Sequence, residues 1–459
     1  MYLSIPKNVS YIIDTLNAHG FEAYAVGGCV RDMVLGEEPA DWDITTSGRP
    51  EQVKALFTRT IETGMKHGTV TVLMDKEGYE ITTYRVGRPC DISREPAPAA
   101  SCQDRTSYAD SLEEDLAHRD FTMNAMAYHP ETGLVDPYGG LMDLQQGLIR
   151  CVGVAGDRFA EDPLRMLRAI RFAGQFHFRI DPSALEAIRK QKETLSGVSA
   201  ERIQMELLKL LISDHPEAIR IAYKTGLSSV FLPELDTMME TEQNNPHHCY
   251  TVGDHTIRSL CLIEANPILR LTMLFHDVGK PASKTTDAQG IDHFSGHFKL
   301  SADMARDIMK RLKFDNNTIR LVRTLILFHD TRFQDALTTG RRNLRRVLYN
   351  LGPNLFPYLV QVMQADVMAQ SDYLRDHKLA QLNEAAAAYM EILNDHDCLS
   401  LKELKINGND LKALGITDGK TIGIILNLLL QMVLEYPELN HYIYLEELAE
   451  KVFRELNRE

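Results

Sequence analysis

Apolar residues fall two apart in several short runs of the first 150 positions and three or four apart almost everywhere beyond them. "TVTVLM" (69–74) and "YEITTYRV" (79–86) alternate with a period of two and are rich in β-branched residues. "EAYAVGG" (22–28) and "DWDITTS" (41–47) are shorter runs of the same kind, each bounded by Gly or charged turn residues. All four are predicted strands. From about residue 151 the period changes: "PLRMLRAIRFAGQF" (163–176) and "AERIQMELLKLLI" (200–212) place apolar side chains on one face of a helix. The predicted architecture is α+β, a small mixed sheet with helices at the front and an all-α body behind it. Between the two patterns, residues 87–112 are rich in Pro, Ala, Ser and charge. They read as a long mobile loop, which inside a compact domain is usually functional or disordered.

Length adds that one core is not enough: 459 residues imply two to four domains. With 44% hydrophobic and 25% charged residues the chain reads as an ordinary globular protein. The longest apolar stretch, "IGIILNLLLQMVL" (422–434), is interrupted by Asn427 and Gln431 and falls short of the roughly 20 residues that span a bilayer. The opening residues lack a basic start followed by an apolar block, so no secretory leader is expected. The seven cysteines are scattered and form no CxxC, and the expected location is a reducing cytoplasm. A net charge of -14 argues against a nucleic-acid partner held over the whole surface. Basic residues are concentrated locally, with twelve Lys+Arg against ten Asp+Glu in 151–225 and four arginines in "GRRNLRRVL" (340–348).

Chemistry is densest in "YAVGGCVRDMVLGEEPADWDI" (24–44). On a strand, side chains two apart share a face, so Asp41 and Asp43 are expected to project together. Two neighbouring carboxylates repel unless a cation lies between them, and Mg²⁺ held by carboxylates and substrate phosphates meets that demand. Gly27-Gly28 permits close backbone approach, the following helix offers its first amides to an anion, and Arg31 adds a fixed positive charge. Such parts can hold a triphosphate over a metal pair for in-line nucleotidyl transfer. A lone DxD is weak evidence, because solvated turn aspartates are common; the added GGxxRD makes the combination specific.

With "TGMKHGTVTVLM" (63–74), "HRDFTMNAMAY" (118–128), "DPYGGLMDLQQGLIR" (136–150), "EDPLRMLRAIRFAGQFHF" (161–178), "SAERIQMELLKLL" (199–211) and "KINGNDLKALGITDGKTIGIIL" (405–426), this motif series resembles the bacterial-type tRNA nucleotidyltransferases, the CCA-adding enzymes of the polymerase-β-like superfamily. The resemblance runs over essentially the whole chain. It implies a nucleotidyltransferase head (1–150), a nucleotide- and RNA-binding neck (151–225), an HD-type helical body (226–395) and a helical tRNA-binding tail (396–459). It also implies tRNA, CTP and ATP as partners and no membrane. Asp41 and Asp43 would bind catalytic Mg²⁺, Gly28 and Arg31 would contact phosphates and sugar, and Arg119, Asp120 and Asn124 would shape the nucleotide pocket. "EDPLRMLRAIRFA" is similar to the family's protein template. There Asp162 and Arg165 would hydrogen-bond the base edge, with Arg168 and Arg171 further along a helix face at intervals of three. Surface ion pairs are the alternative reading of that spacing.

Glu80 lies on a later strand as a third carboxylate or as an ordinary strand residue. The family commonly carries two arginines where this chain has His118-Arg119, which makes a phosphate contact by His118 pH-dependent and leaves Arg119 the stronger role. Poly(A) polymerases share the head but resemble one another in a Gly-Arg-Arg-Phe segment that this chain lacks. CC-adding enzymes lack the flexible loop that 87–112 supplies here, with Arg94-Glu95 as a basic/acidic pair; A-only addition stays open. The tail's "LGITDGKTIG" (414–423) offers glycine amides and Lys420 to an RNA phosphate, or simply ends a helix.

A second constellation lies in "YTVGDHTIRSL" (250–260), "LTMLFHDVGKP" (271–281), "HFSGHFKLSA" (293–302), "LILFHD" (325–330) and "MQADVMAQSD" (363–372). Adjacent His and Asp side chains can reach one divalent cation when other helices supply the outer ligands. The set resembles an HD domain with His255, His276, Asp277 and Asp366 as ligands and His297 and His329 as second-metal candidates. A hydrogen-bonded structural role is the bland alternative for any single histidine. Complete HD sites in this family are associated with phosphatase and cyclic phosphodiesterase activities, which implies a secondary phosphohydrolase. Rival readings are an HD phosphohydrolase whose head only binds RNA, and a silent RNA chaperone, which would have lost the carboxylates this chain keeps.

Overall fold

A computed structural model of the chain describes residues 3–64, 68–86, 107–333 and 340–456. Contacts divide it into two compact units, Met1–Pro233 and Glu234–Glu459. The segments expected at 1–150 and 151–225 fall within the first unit, and most of 226–395 with all of 396–459 in the second.

Among the described residues the first unit carries eleven short strands: β1 (Ala23–Val26), β2 (Asp43–Thr46), β3 (Thr60–Gly64), β4 (Thr69–Met74), β5 (Glu77–Thr83), β6 (Arg85–Val86), β7 (Ser107–Tyr108), β8 (Ala127–His129), β9 (Gly133–Val135), β10 (Leu148–Ile149) and β11 (Arg179–Ile180). Seven form one mixed sheet in the order β3-β4-β5-β2-β1-β8-β9, while β6 and β7 pair separately. Within that sheet only β2 and β5 run parallel, and their register sets Asp43 opposite Glu80; β10 and β11 form a separate parallel pair. The β4–β5 hairpin closes on Asp75 and Lys76, both at positive φ, the backbone that matches the twist of a two-residue hairpin. All four expected strands form, but the DxD reading needs correction. The β1–β2 ladder ends at Ala25↔Ile44, since Gly27 turns the chain away. Asp41 therefore has no strand to pair with and sits in a bend ahead of β2.

Later in the same unit, the Leu164–Phe176 helix packs against the Ala200–Leu211 helix. Met166, Leu167 and Ile170 are fully buried on the first, and Leu207, Leu210 and Leu211 on the second. Burying each such side chain contributes about 1.5–3 kcal/mol. Gly174 permits this closeness, because a Cβ there would stand 2.7 Å from Leu210 and 2.9 Å from the His215 carbonyl.

In the second unit, helices Val252–Cys261, Pro267–Phe275, His297–Arg311, Asn316–Phe328 and Phe356–Ala369 surround the predicted HD residues. Residues on both sides of 395/396 share one core, in which Leu348, Phe356 and Ile392 pack with Ile425, Leu429 and Leu445. Among the described residues no helix is long and apolar enough to cross a membrane.

Candidate functional site

The site in the first unit begins where β1 meets the Gly28–Leu35 helix. Gly27 has φ 80°, a backbone that favours glycine, and a Cβ on it would lie 2.7 Å from Nη1 of Arg119 and push that guanidinium aside. One turn on, Arg31 is buried. Its Nη1 donates to Oδ1 of Asn124 (2.7 Å), its Nε donates to Asp32 (2.8 Å), and its guanidinium stands 4.7 Å from the Phe176 ring centroid. Asn124 in turn donates to Oδ1 of Asp120 (3.0 Å), whose Oδ2 accepts from Nε and Nη2 of Arg168 (2.9 and 2.6 Å). Burial opposes a charged Asp120, but the Arg168 cation and then the Asn124 and Arg168 hydrogen bonds outweigh it and hold the carboxyl below its ordinary range. The chain of contacts continues through Glu206, which receives Arg168 (3.5 Å) and Arg171 (2.9 Å), to Gln175, which accepts from Arg171 (2.8 Å). Arg171 also lies 3.5 Å over the Phe172 ring.

Arg31, Asp120, Asn124, Arg168, Arg171 and Gln175 of this network line a cavity of about 560 Å³ together with the carboxylates Asp41 and Asp43. Burial and the charges of Glu80 and Asp41 raise Asp43 above its ordinary range, against the lowering effect of Arg119 and Arg85. Three carboxylates therefore share one field, which a divalent cation would relieve. Arg119 is steadied by Asp115, which accepts from its Nη2 (3.3 Å), from the Thr45 hydroxyl (3.2 Å) and from the Arg85 amide (3.0 Å).

Of the head and neck residues singled out by sequence, Gly28, Arg31, Asp41, Asp43, Arg119, Asp120, Asn124, Arg168 and Arg171 line this cavity. Asp162 and Arg165 do not, and the single helix face expected to carry them is broken. Asp162 is extended (φ -147°, ψ 100°) after the Ala155–Glu161 helix, because Pro163 follows it, and the next helix starts at Leu164. Asp162 accepts from Arg202 (2.7 Å), whereas Arg165 donates to Glu161 (2.8 Å) and to the His118 carbonyl (2.8 Å). The His118 ring faces Glu161 at 3.6 Å. Phe172, Gln175, Lys209 and Ser213 also line the cavity, and sequence reasoning did not single them out. Arg94 and Glu95 lie outside the described residues.

The second unit brings all six HD residues together. Nε2 of His255 is 2.8 Å from Oδ1 of Asp366 and 3.3 Å from Nε2 of His276, which is 3.2 Å from Oδ2 of Asp277. On the other carboxylate oxygen, Oδ1 of Asp277 faces Nε2 of His297 (3.4 Å) and of His329 (3.7 Å), themselves 3.3 Å apart. Nδ1 of His276, His297 and His329 each meets a backbone carbonyl, of Met273, Phe294 and Ile326, at 2.7–2.9 Å. A carbonyl can only accept, so each Nδ1 carries a proton, and a ring that holds no second proton turns its Nε2 lone pair inward. Facing lone pairs repel unless a proton or a metal ion lies between them. Burial disfavours charge on His276, but Asp277 and then Asp366 outweigh it and push it up to about 10. A field that stabilises a proton this strongly also favours a metal cation. The structure thus has two candidate metal-binding groups here, His255-His276-Asp277 and Asp277-His297-His329, opening on a cavity of about 790 Å³ whose lining includes Lys280, Arg332 and Lys378.

Two basic or amide-rich features noted in the sequence make contacts within the protein. In the "GRRNLRRVL" helix, Arg341 meets Asp395, Arg342 and Arg346 meet Glu435, and Arg345 meets Asp397 and donates to the Leu434 carbonyl (2.7 Å). In the tail turn, Asp418 caps the Gly419–Glu435 helix by accepting the Thr421 amide at 2.7 Å.

Comparison with known proteins places this geometry among relatives. Residues 23–150 match the Poly A polymerase head domain, 177–239 the RNA and SrmB-binding site of polymerase A, and 283–442 tRNA nucleotidyltransferase domain 2. The CCA-adding enzyme of Ligilactobacillus salivarius is 31% identical over 98% of this chain and 97% of its own length; that of Levilactobacillus brevis is 32% identical over 90% of each. A match to the Lactiplantibacillus plantarum CCA-adding enzyme reaches 46% identity over 47% of this chain and 50% of that one. Among solved structures, the Bacillus stearothermophilus CCA-adding enzyme in complex with CTP superposes with a TM-score of 0.69 at 26% identity, covering 97% of this chain and 98% of that one. The Thermotoga maritima CCA-adding enzyme complexed with tRNA shares the fold, with a TM-score of 0.55 at 22% identity over 98% and 96% of the two chains.

Proposed function

Because the chain belongs to the family of CCA-adding enzymes, we propose that it extends the 3′ end of tRNA by CCA, without a nucleic-acid template and in the cytoplasm. It uses CTP and ATP and releases pyrophosphate. The observation that carries this reading is that Asp41, Asp43, Arg31, Arg119 and Arg168 line one cavity of about 560 Å³. A divalent cation, Mg²⁺ for donors that are all oxygen, would be held by Asp41 and Asp43, with Glu80 beside them. Bound there, it would supply Lewis acidity and neutralise phosphate charge. The protein groups do the rest. Gly27 and Gly28 bring backbone close to the triphosphate, and Arg31 and Arg119 hold its charge in a fixed place. Arg168 and Arg171 stay oriented through Asp120 and Glu206, so the α-phosphate meets the tRNA hydroxyl already aligned.

Asp162 and Arg165 are proposed to read the base edge, a carboxylate and a guanidinium fork being suited to an exocyclic amine beside a ring nitrogen. That role requires Arg165 to exchange its Glu161 contact for the base. Pyrophosphate release from CTP with a tRNA acceptor tests the head: Asp41→Ala and Asp43→Ala should each abolish it while leaving the fold intact. Release that persists in both variants would overturn the assignment.

A second activity is supported by the paired Nε2 atoms at 3.3 Å on either side of Asp277. We propose that His255, His276, Asp277 and Asp366 hold one divalent metal and that His297 and His329 share Asp277 in holding another, for hydrolysis of phosphate esters on nucleotides and RNA ends. Phosphate release from an RNA bearing a terminal or cyclic phosphate should require His276 and not Asp43.

A further inference from the structure

A third group of metal-ligating side chains lies in the first unit, outside the cavity lining. His177 ends the Leu164–Phe176 helix at φ 55° and ψ 35°, a left-handed backbone uncommon outside glycine and asparagine. Its ring centroid is 4.0 Å from that of His215, whose Nδ1 is 3.1 Å from Oε1 of Glu217. One ligand atom from each of the three residues lies within 4.8 Å of the other two. The backbone enforces the meeting, since the His215 amide donates to the Gly174 carbonyl at 3.1 Å and Gly174 leaves no room for a Cβ.

We propose that His177, His215 and Glu217 form a binding site for a divalent transition-metal ion of the zinc class, with a fourth position open to solvent. Two imidazoles and one carboxylate are a donor set that suits Zn²⁺ and its neighbours better than Mg²⁺ or Ca²⁺. Tetrahedral ligation at about 2.0–2.1 Å needs donor atoms a little over 3 Å apart. The His215–Glu217 pair already has that spacing, and the exposed His177 ring closes the remainder by a side-chain rotation. Placement gives the ion a task. Gln175 and Ser213, each two residues before a histidine ligand, line the nucleotide cavity. An ion at this site ties together the ends of the two elements that carry them.

The test is a Zn²⁺ titration of the full chain in excess Mg²⁺, by competition with a chromophoric chelator. It compares the parent protein with His177→Asn/His215→Ala, each with and without His276→Ala. Asparagine is chosen at 177 because it tolerates the left-handed backbone, and thermal melts without zinc check that the variants fold alike. The double variant should lose one equivalent of Zn²⁺ in both backgrounds, and Glu217→Gln should weaken that equivalent at least tenfold. With Co²⁺ as the probe, the matching share of d–d absorption should disappear. Equal stoichiometry and affinity in parent and double variant would overturn the proposal and leave a stacked imidazole pair. The His276→Ala background keeps this result separate from the fate of the HD centre.

Discussion

Replacing Asp120 by asparagine preserves its shape and removes the charge on which the cavity wall depends. The carboxylate accepts four hydrogen bonds, from the Phe121 amide (2.8 Å), Asn124 (3.0 Å) and twice from Arg168 (2.9 and 2.6 Å). Asparagine offers one oxygen, so either Arg168 or Asn124 is left facing an amide nitrogen that cannot accept. Removing one partner of a buried ion pair costs about 3–5 kcal/mol. The lower end applies here, because the Arg168 side chain is 31% exposed and retains Glu206 at 3.5 Å. A loss of about 3 kcal/mol corresponds to roughly 6–12 °C in the melting of a unit of this size. Trp42, the only tryptophan of the chain, lies in the first unit and reports its urea unfolding separately.

The pH dependence has a definite sign. The folded Asp120 carboxyl is depressed, so its contribution is fully present above the unfolded value of about 3.9 and is lost as pH falls through the folded one. The gap between parent and Asp120→Asn should be constant from about pH 5 to 8 and close below about pH 4. A cycle with Arg168→Gln should give a coupling of about 2 kcal/mol. A Trp42-detected loss under about 0.5 kcal/mol, or no coupling, would refute the network as the support of the wall.

Gly27→Ala meets both a positive φ and the Arg119 guanidinium; it should cost about 1–2 kcal/mol and reduce nucleotidyl transfer by more than the stability loss explains, as single-turnover kinetics would show. Arg345→Ala strips donors from the carbonyls of Leu434 and Glu435 as well as the Asp397 pair and should destabilise the second unit by about 2–4 kcal/mol. The more exposed Arg346→Ala should cost about 1 kcal/mol or less, a contrast that circular dichroism in urea resolves while Trp42 stays silent. His276→Ala should lower the bound transition metal of the second unit, measured by elemental analysis, and leave nucleotide incorporation unchanged.

Periodicity was a good guide wherever burial decides structure. The β4 and β5 runs, the Leu164–Phe176 helix and the Ala200–Leu211 helix all lie where their alternation or 3.6-residue spacing puts them. It was a poor guide where one residue breaks a pattern: Pro163 separates Asp162 from the arginines that follow at the same interval. Long-range pairing was invisible. Glu206 reads as one more polar position of an amphipathic helix, yet it is buried and receives two arginines. The arginines of 341–346 read as a local concentration of positive charge because the acids that neutralise them lie about 50 to 90 positions away along the chain. That His255, His276, Asp277, His297, His329 and Asp366 meet was legible because polar residues spread over apolar helices are buried only where they find one another. What sequence could not give is that Asp277 offers one oxygen to each pair of histidines.

One experiment tests directly whether the Asp41–Asp43 cavity builds CCA. Three tRNAs, ending at the discriminator base, in C and in CC, are incubated with CTP, ATP or both in Mg²⁺, using the parent protein and Asp43→Ala. The account predicts that the shortest RNA grows by CCA when both nucleotides are present and that Asp43→Ala adds nothing. Extension of the CC-ended RNA alone, with ATP alone, would make this an A-adding enzyme, and full extension by Asp43→Ala would place the chemistry elsewhere.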